Sequence, residues 1–313
     1  MPALHYPRVP VIVNPASGPD RPVLSLLNAA FQKGATDWEV YVTLRAGDAA
    51  RFARQQAHSG AEVVAVYGGD GTVNDVAAAL AGTGTHLLIL PGGTGNALAF
   101  ELGIPEDISA AAALACGAPA RLRPLDLGEA NGQLFVLRAT MGFETEMQRT
   151  ASRQLKDQLG KLAYPAAALQ MLESLPVTDY HITLDGRDIT AQGVQCTVAN
   201  SAQMGVAGLE LAQGGDVGDG LLDIIVLRRM DLAAMASIAL SNLVGEDVSD
   251  QVQHWQGRTV TIRADPPQTV ALGEDSLAQT PITINVVPAA LQVVVPEVVE
   301  APLTLLDSIS MPM

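Results

Sequence analysis

Five consecutive residues, "GGDGT" (68–72), set one carboxylate, Asp70, among three glycines, Gly68, Gly69 and Gly71, and close on the hydroxyl of Thr72. The apolar run "VVAVY" precedes them, and a helix-like run containing Asn74 follows. A second cluster, "PGGTGN" (91–96), follows the apolar run "HLLIL" and carries Gly93 and Thr94. Without a Cβ, backbone N–H groups can approach an anion closely. A helix starting just after such a loop adds free donors and a favourable dipole. Thr72, Thr94 and Asn96 can donate further hydrogen bonds. A carboxylate is an odd companion for phosphate unless a cation lies between them, and Mg²⁺ bridging phosphate oxygens to Asp70 would resolve the conflict. The common nucleotide signatures are absent. There is no GxxxxGK[ST], "GDGTVN" lacks the third glycine of GxGxxG, and no GxSxG nucleophile elbow occurs. Either cluster alone could be a tight turn between strand and helix, whereas two at matching places favour a ligand site.

The elements around these clusters repeat. "VPVIVNP" reads as a strand, 21–33 as a helix, "WEVYVT" as a strand and 48–59 as a helix. "VVAVYGG" then reads as a strand, 72–81 as a helix, "HLLILPGG" as a strand and 94–102 as a helix. Strands apolar throughout and separated by helices predict a parallel sheet covered on both faces. In such a sheet, ligands bind beyond the carboxyl ends of the strands, where both glycine clusters fall. The alternation stops near residue 125, at "RLRPLDLG". After it come "FVLRAT", "YHITLDG", "VQCTVAN", "LLDIIVLRR", "TVTIRAD" and "PITINVV", which predict antiparallel strands in a second, mostly β domain, with one helical insertion at 144–175.

The 313 residues suffice for two domains, and 48% apolar against 16% charged residues supports a large core. A net charge of −15 argues against a nucleic-acid partner and against wholesale adsorption to an anionic membrane, though a local basic patch could still act there. Cys116 and Cys196 have no ligand-like neighbours, which fits a reducing compartment without a disulfide framework. "MPALHYPRVP" has no apolar core of a signal peptide, and "LAAMASIALSNLVG" (232–245) is too short to span a bilayer. The expectation is a soluble cytoplasmic protein.

"GGDGTVNDV" followed by "LPGGTGNALA" resembles the catalytic domain of diacylglycerol kinases, and more specifically the soluble bacterial lipid kinases related to sphingosine and ceramide kinases. GGDGT alone also occurs in NAD kinases and phosphofructokinases; "PGGTGN" is what points to lipid kinases. The likeness extends through "VIVNPASG" (11–18), "TLRAGDA" (43–49), "LDLGEANGQLFVLRATMGFETEM" (125–147), "GDGLLDIIVL" and "ALQVVVP" (290–296). It implies an NAD kinase/diacylglycerol kinase-like α/β nucleotide-binding domain with a parallel sheet, residues 1–127. A β-sandwich-like lipid-substrate domain, 128–296, would follow, and the tail 297–313 would return to the first domain.

Carried over by resemblance, Asn14, Pro15 and Gly18 match the first phosphate-side loop, Thr43 the nucleotide-binding threonine, and Gly68 through Asn74 the phosphate loop. Asp70 would organise Mg²⁺-ATP, and Gly93 and Thr94 lie in the second loop. Asp126 matches a buried aspartate that orders a water and metal network at the domain junction. "GGDVGDGLLD" (214–223) fails the EF-hand pattern and by itself reads as an Asp-Gly turn. The resemblance instead implies a structural Mg²⁺ held by the Asp219 carboxylate and the carbonyls of Asp216 and Leu221. Arg149, Arg153 and Lys156, spaced i, i+4, i+7, would share one helix face. That face could meet a membrane peripherally or simply be solvated. A lipid is the implied substrate, and a homodimer is compatible with this reading.

The chain departs from the family at "VALGEDS" (270–276). The family has Asp-Gly-Glu here, a candidate base and its supporting glutamate. Gly273 and Glu274 match, but Leu272 stands where the aspartate belongs. A well-placed base contributes about 10²–10⁴ in rate, so this substitution could separate an enzyme from a nucleotide-binding sensor or scaffold. Glu274 is the remaining candidate base, with Asp275 reachable by a one-residue shift. The leading expectation is an ATP-dependent lipid kinase acting on a diacylglycerol-like or sphingoid hydroxyl. A kinase for a soluble alcohol or NAD is the third alternative.

Overall fold

The computed structural model describes residues 4–142, 145, 176–200, 216–228, 252–272 and 275–297. The chain divides into two compact units, the first comprising the described residues up to Asp126 and from Pro288 on, the second those between Leu127 and Val287.

In the first unit, strands β1 (Arg8–Val13), β2 (Asp37–Val42), β3 (Val63–Gly68) and β4 (His86–Pro91) lie in the order β2-β1-β3-β4, all parallel. Every residue of β3 is buried, as expected of a central parallel strand covered on both faces. β2, at the edge, exposes Val40 and Val42. Helices α1 (Val23–Lys33) and α2 (Asp48–His58) cover opposite faces, because Phe31 of α1 packs on Trp38 while Phe52 of α2 packs on Tyr41, residues of opposite parity on β2. α3 (Asp70–Leu80) packs beside α2, and α5 (Ile108–Ala113) beside α1, with the short α4 (Ala97–Glu101) between β4 and α5. Residues 288–296 of β16 (Ile282–Pro296) close the unit's sheet, parallel to β4 through the Val293–Leu87 pair.

The parallel α/β sheet expected of the first unit is therefore present, with boundary shifts. Helix α3 begins at Asp70 instead of 72, so Asp70 is a first-turn residue rather than a loop residue. The segment read as a domain boundary, "RLRPLDLG", is itself part of strand β5 (Ala120–Ala130). The chain also re-enters the first unit at Pro288, whereas the sequence reading kept it in the second domain to 296. Strands β1–β4 leave an edge that only a late segment can pair, and sequence alone cannot show that a strand nearly 200 residues further on fills it.

The second unit is a β-sandwich. One sheet has the order β12-β11-β10-β7-β14-β15, comprising Val252–Gly257, Leu222–Leu227, Gln195–Ala199, Arg138–Gly142, Thr269–Leu272 and Asp275–Gln279. All its pairings are antiparallel. The other joins residues 282–285 of β16 to β13 (Thr259–Asp265), β8 (Thr178–Leu184) and β9 (Arg187–Gly193), again antiparallel. A short strand β6 (Gln133–Phe135) pairs with β5. Met141, Val198, Ile224 and Val270 of the first sheet meet Tyr180, Ile182, Val260 and Ile284 of the second in one buried cluster. The period of 2 in "YHITL" and "TVTIRAD" directs alternate residues into that core. Nearly all of the insertion 144–175, with Arg149, Arg153 and Lys156, lies outside the described residues, as do Glu274 and residues 298–313.

Candidate active site

Three loops of the first unit converge at the carboxyl ends of β1, β3 and β4, and a network of short bonds holds them. Asn14 follows β1 directly; its N–H donates to the Tyr67 carbonyl at 2.9 Å, its Nδ2 donates to Thr72 Oγ1 at 2.9 Å, and its Oδ1 accepts from the Ala16 N–H at 3.0 Å. One side chain thus turns the first loop and fixes it against the start of α3. The Gly69 N–H donates to Ser17 Oγ at 3.3 Å. A hydroxyl oxygen therefore lies against the donor that the glycine loop would offer to an anion.

The two glycine clusters are strapped together. The Gly92 N–H donates to the Gly68 carbonyl at 3.0 Å, and the Ala97 N–H donates to Asp70 Oδ1 at 2.8 Å. Asp70 thereby satisfies one of the orphan donors at the start of α4 while sitting in the first turn of α3, where a carboxylate is favoured. Its Oδ2 lies against Gly95, where an added Cβ would stand 2.8 Å away. Backbones touch at Gly93, whose Cβ would meet Gly69 Cα at 2.6 Å. Gly18, at φ +71, packs against the Gly92 carbonyl, so its glycine is required twice over, by conformation and by space. Asn96, expected to face a ligand, instead closes its own loop: Oδ1 accepts from the Gly93 N–H at 2.8 Å and Nδ2 donates to the Gly93 carbonyl at 2.9 Å. Thr94 is exposed and Asn74 half-buried.

Beside these loops lies a cavity of about 390 Å³, lined by Asn14, Pro15, Thr43, Thr72 and Asp75 and by the 44–47 loop. That size suits a small-molecule ligand. Thr43 is held at the end of β2 by its N–H to the Val13 carbonyl, 2.9 Å. The loop after it is clamped by the buried Asp48, whose Oδ2 accepts from the N–H groups of Leu44 and Arg45 at 3.0 and 3.2 Å. Arg51, donating to Asp48 Oδ1 at 2.8 Å, and these backbone donors hold the Asp48 carboxyl down at about 2. Ser17 and Asp48 lie in the segments "VIVNPASG" and "TLRAGDA" that carry the resemblance, but neither they nor Asp75 had a role assigned from the sequence. The Asp48 role had a signal in "AGDAA", an aspartate opening a helix after a glycine.

Asp126, on β5, is 1% exposed and accepts the Ala289 N–H at 2.6 Å. In the second unit, Asp219 Oδ1 accepts the Leu221 N–H and Asp216 Oδ1 the Gly218 N–H, both at 2.9 Å, and the Asp216 carbonyl accepts from the Asp219 N–H at 3.2 Å. The loop is a pair of side-chain-closed turns feeding β11, and the accepting atoms of Asp216 and Asp219 are oxygens, the ligand type that suits Mg²⁺. Among the described residues, no three His, Cys, Asp or Glu side chains gather around a common metal position.

Residues 8–130 match the model of the diacylglycerol kinase catalytic domain, and residues 138–295 match that of the YegS C-terminal NAD kinase beta sandwich-like domain. The chain belongs to the diacylglycerol kinase catalytic domain family. It is 34% identical over 252 residues to a protein of Bacillus subtilis (strain 168) named diacylglycerol kinase, a match covering 78% of this chain and 81% of that one. It is 29% identical to a Klebsiella pneumoniae (strain 342) protein named as a probable YegS-like lipid kinase, over 92% and 95% of the two chains. A solved structure of a candidate diacylglycerol kinase from Bacillus anthracis str. Sterne superposes with a TM-score of 0.77 at 26% identity, covering 92% of this chain and 96% of that one. This lipid kinase family combines an α/β domain with a β-sandwich-like domain, as observed here. No helix among the described residues is long and apolar enough to cross a membrane.

Proposed function

We propose that this chain is an ATP-dependent lipid kinase that transfers the γ-phosphoryl group of ATP to a hydroxyl of a diacylglycerol-like or sphingoid lipid. The observation that carries this reading is the strap of two glycine loops around Asp70, beside a cavity lined by Asn14, Pro15, Thr43 and Thr72. Phosphoryl transfer asks little covalent chemistry of a protein and depends on positioning and charge stabilisation. The backbone donors of 68–72, at the N-terminus of α3, would hold phosphate oxygens, with Ser17 exchanging its Gly69 partner for them. Asp70, with one oxygen fixed by Ala97 and the other turned to Gly95, is the carboxylate for Mg²⁺. When bound, Mg²⁺ supplies charge neutralisation between the phosphates. Glu274 would take the proton of the attacking lipid hydroxyl as the new P–O bond forms and ADP leaves.

Leu272 supports a second reading. It ends β14, pairs with Ala139 and Asp275, and packs against the sandwich core. An apolar residue integrated in this way favours a chain that binds nucleotide as a sensor or scaffold with weak turnover. Two substitutions separate the readings. Under the kinase reading, Glu274→Gln removes most lipid phosphorylation and Leu272→Asp raises it by an order of magnitude or more, base catalysis being worth about 10²–10⁴. ATP binding with no turnover in either the wild type or Leu272→Asp, on any lipid, establishes the sensor reading.

A further inference from the structure

Strand β2 ends the sheet of the first unit; among the described residues it pairs with β1 alone. In a parallel pair, alternate residues of an edge strand bond to the neighbour and the others face outwards. The Asp37 N–H donates to the Pro7 carbonyl and the Thr43 N–H to the Val13 carbonyl, both at 2.9 Å, so the odd-numbered residues bond to β1. The N–H and C=O groups of Trp38, Val40 and Val42 therefore point away from the sheet. Both ends of this row are closed. The Thr36 N–H donates to the Phe31 carbonyl and the Leu44 N–H to the Asp48 carboxylate, each at 3.0 Å. Val40 and Val42 are 41% and 39% exposed.

Proteins usually blunt an open strand with lysine, proline or a bulge. "DWEVYV" has neither lysine nor proline, and its register with β1 runs from Arg8–Asp37 to Val13–Val42 without a bulge. Its central charge is already neutralised: Glu39 accepts from Arg8 Nη2 at 2.8 and 2.9 Å and from the Tyr41 hydroxyl at 2.8 Å. The segment is also complementary to itself. Laid antiparallel on a second β2 with Val40 opposite Val40, it pairs Trp38 with Val42 of the second copy on one face. On the other face Glu39 meets Tyr41 and Asp37 meets Thr43, so no like charges stand directly opposite. Aromatic and β-branched cross-strand pairs stabilise a sheet, and directly opposed like charges weaken it. A shift by two residues one way sets Glu39 against Glu39. The same shift the other way sets Trp38 against Leu44, whose N–H Asp48 already holds.

We propose that two copies of this chain join through β2, antiparallel about a two-fold axis at Val40, into one continuous sheet. In this register Val40 exchanges both backbone bonds with Val40 of the second copy, and Trp38 does so with Val42, which satisfies every outward N–H and C=O of the row. The contact is isologous and closed, because each edge consumes the other. None of these residues belongs to the phosphate loops, so the pairing holds whether or not the chain is a kinase.

The test is sedimentation velocity of the full-length protein across micromolar concentrations, beside thermal melts. The wild type sediments as a dimer. Val40→Lys sets two cations opposite each other on the axis and raises the dimer dissociation constant about tenfold or more. Val40→Pro removes an outward N–H while leaving every bond to β1 in place, a position at which an edge strand tolerates proline, and gives a monomer. An equimolar mixture of Val40→Lys and Val40→Glu restores the dimer, because opposite charges then face each other across the axis. Leu24→Ser, at an exposed position off β2, stays dimeric. A monomeric wild type overturns the proposal, and so does a dimer that survives in the Val40 variants that melt cooperatively. Val40→Lys and Val40→Glu that are monomeric singly and remain so when mixed overturn the register with Val40 opposite itself.

Discussion

Replacing Asp70 separates its structural role from its chemical one. In Asp70→Asn the amide retains an oxygen that can accept the Ala97 N–H, now 2.8 Å from Oδ1. What is lost is the charge on that bond and at the start of α3. Charge-assisted hydrogen bonds exceed neutral ones by about 1 kcal/mol, and a carboxylate in a first helical turn adds roughly 0.5 kcal/mol. The expected cost of about 1–2 kcal/mol lowers the melting temperature by only a few degrees, given ~2–4 °C per kcal/mol for a chain of this size class. Asp70→Ala removes the acceptor altogether and leaves the N–H of the buried Ala97 unpaired, a further penalty of about 1–3 kcal/mol. Turnover should respond differently. Both variants lose the side-chain charge that the strap directs at the glycine loops, and loss of such electrostatic stabilisation costs about 10²–10³ in rate. The assay is Mg²⁺-dependent phosphate transfer beside a thermal melt for the wild type and both variants. The expected pattern is a near-native melt with lost activity for Asn, and a lowered melt with lost activity for Ala. An Asn variant within about threefold of wild-type turnover, far inside the range for a lost stabilising group, would refute the role assigned to Asp70.

Four further outcomes follow from the geometry. Gly93→Ala should lower the melting temperature and abolish nucleotide binding, because its Cβ would stand 2.6 Å from Gly69 Cα and overpacking costs about 1–3 kcal/mol. Gly71→Ala, in α3 with open space around it, should melt at or above the wild-type temperature, as helix propensity favours Ala by about 1 kcal/mol. His86 is part-buried with Nδ1 2.8 Å from the Tyr6 hydroxyl, and burial lowers its pKa below the ordinary 6.5. The unfolded chain therefore binds this proton more readily, so stability is lost as pH falls below 6.5, and thermal melts of His86→Gln should show a shallower decline over that window. A chelator should lower the melting temperature of the wild type but barely move that of Asp219→Ala, since a metal held only by the folded loop stabilises by mass action; equal shifts would remove the metal from Asp219.

The core strands were legible because parallel strands buried on both faces leave continuous apolar runs, as in "VVAVY" and "HLLIL". The two glycine clusters were legible for the complementary reason, that three glycines around one carboxylate bring no side chains to a core and mark a place where backbones approach closely. What stayed hidden was relational. Asn96 has the hydrogen-bonding chemistry of a ligand contact, yet its own loop consumes both ends of its amide. An aspartate opening a helix after a glycine marks Asp48, but not that it clamps the 44–47 loop, because its partners in that loop are backbone groups that composition does not reveal. Strand β12, "VQHWQG", lacks an apolar alternation, since His254 and Gln256 turn to the buried Asp223 on β11, with His254 Nε2 at 2.6 Å and Gln256 Nε2 at 3.0 Å from Oδ1. Helix α5, built largely of alanine, has too little amphipathic contrast to be read as a helix, although Asp107 caps it through the Ala110 N–H at 2.8 Å.

The most direct measurement is a lipid panel, with diacylglycerols, sphingoid bases and ceramides presented in mixed micelles to the purified chain with Mg²⁺ and ATP labelled at the γ-phosphate. Label entering the lipid phase for one class, lost without Mg²⁺ and lost in Asp70→Asn, is the predicted result. Nucleotide bound at the glycine loops with no label in any lipid would contradict the assignment as a lipid kinase.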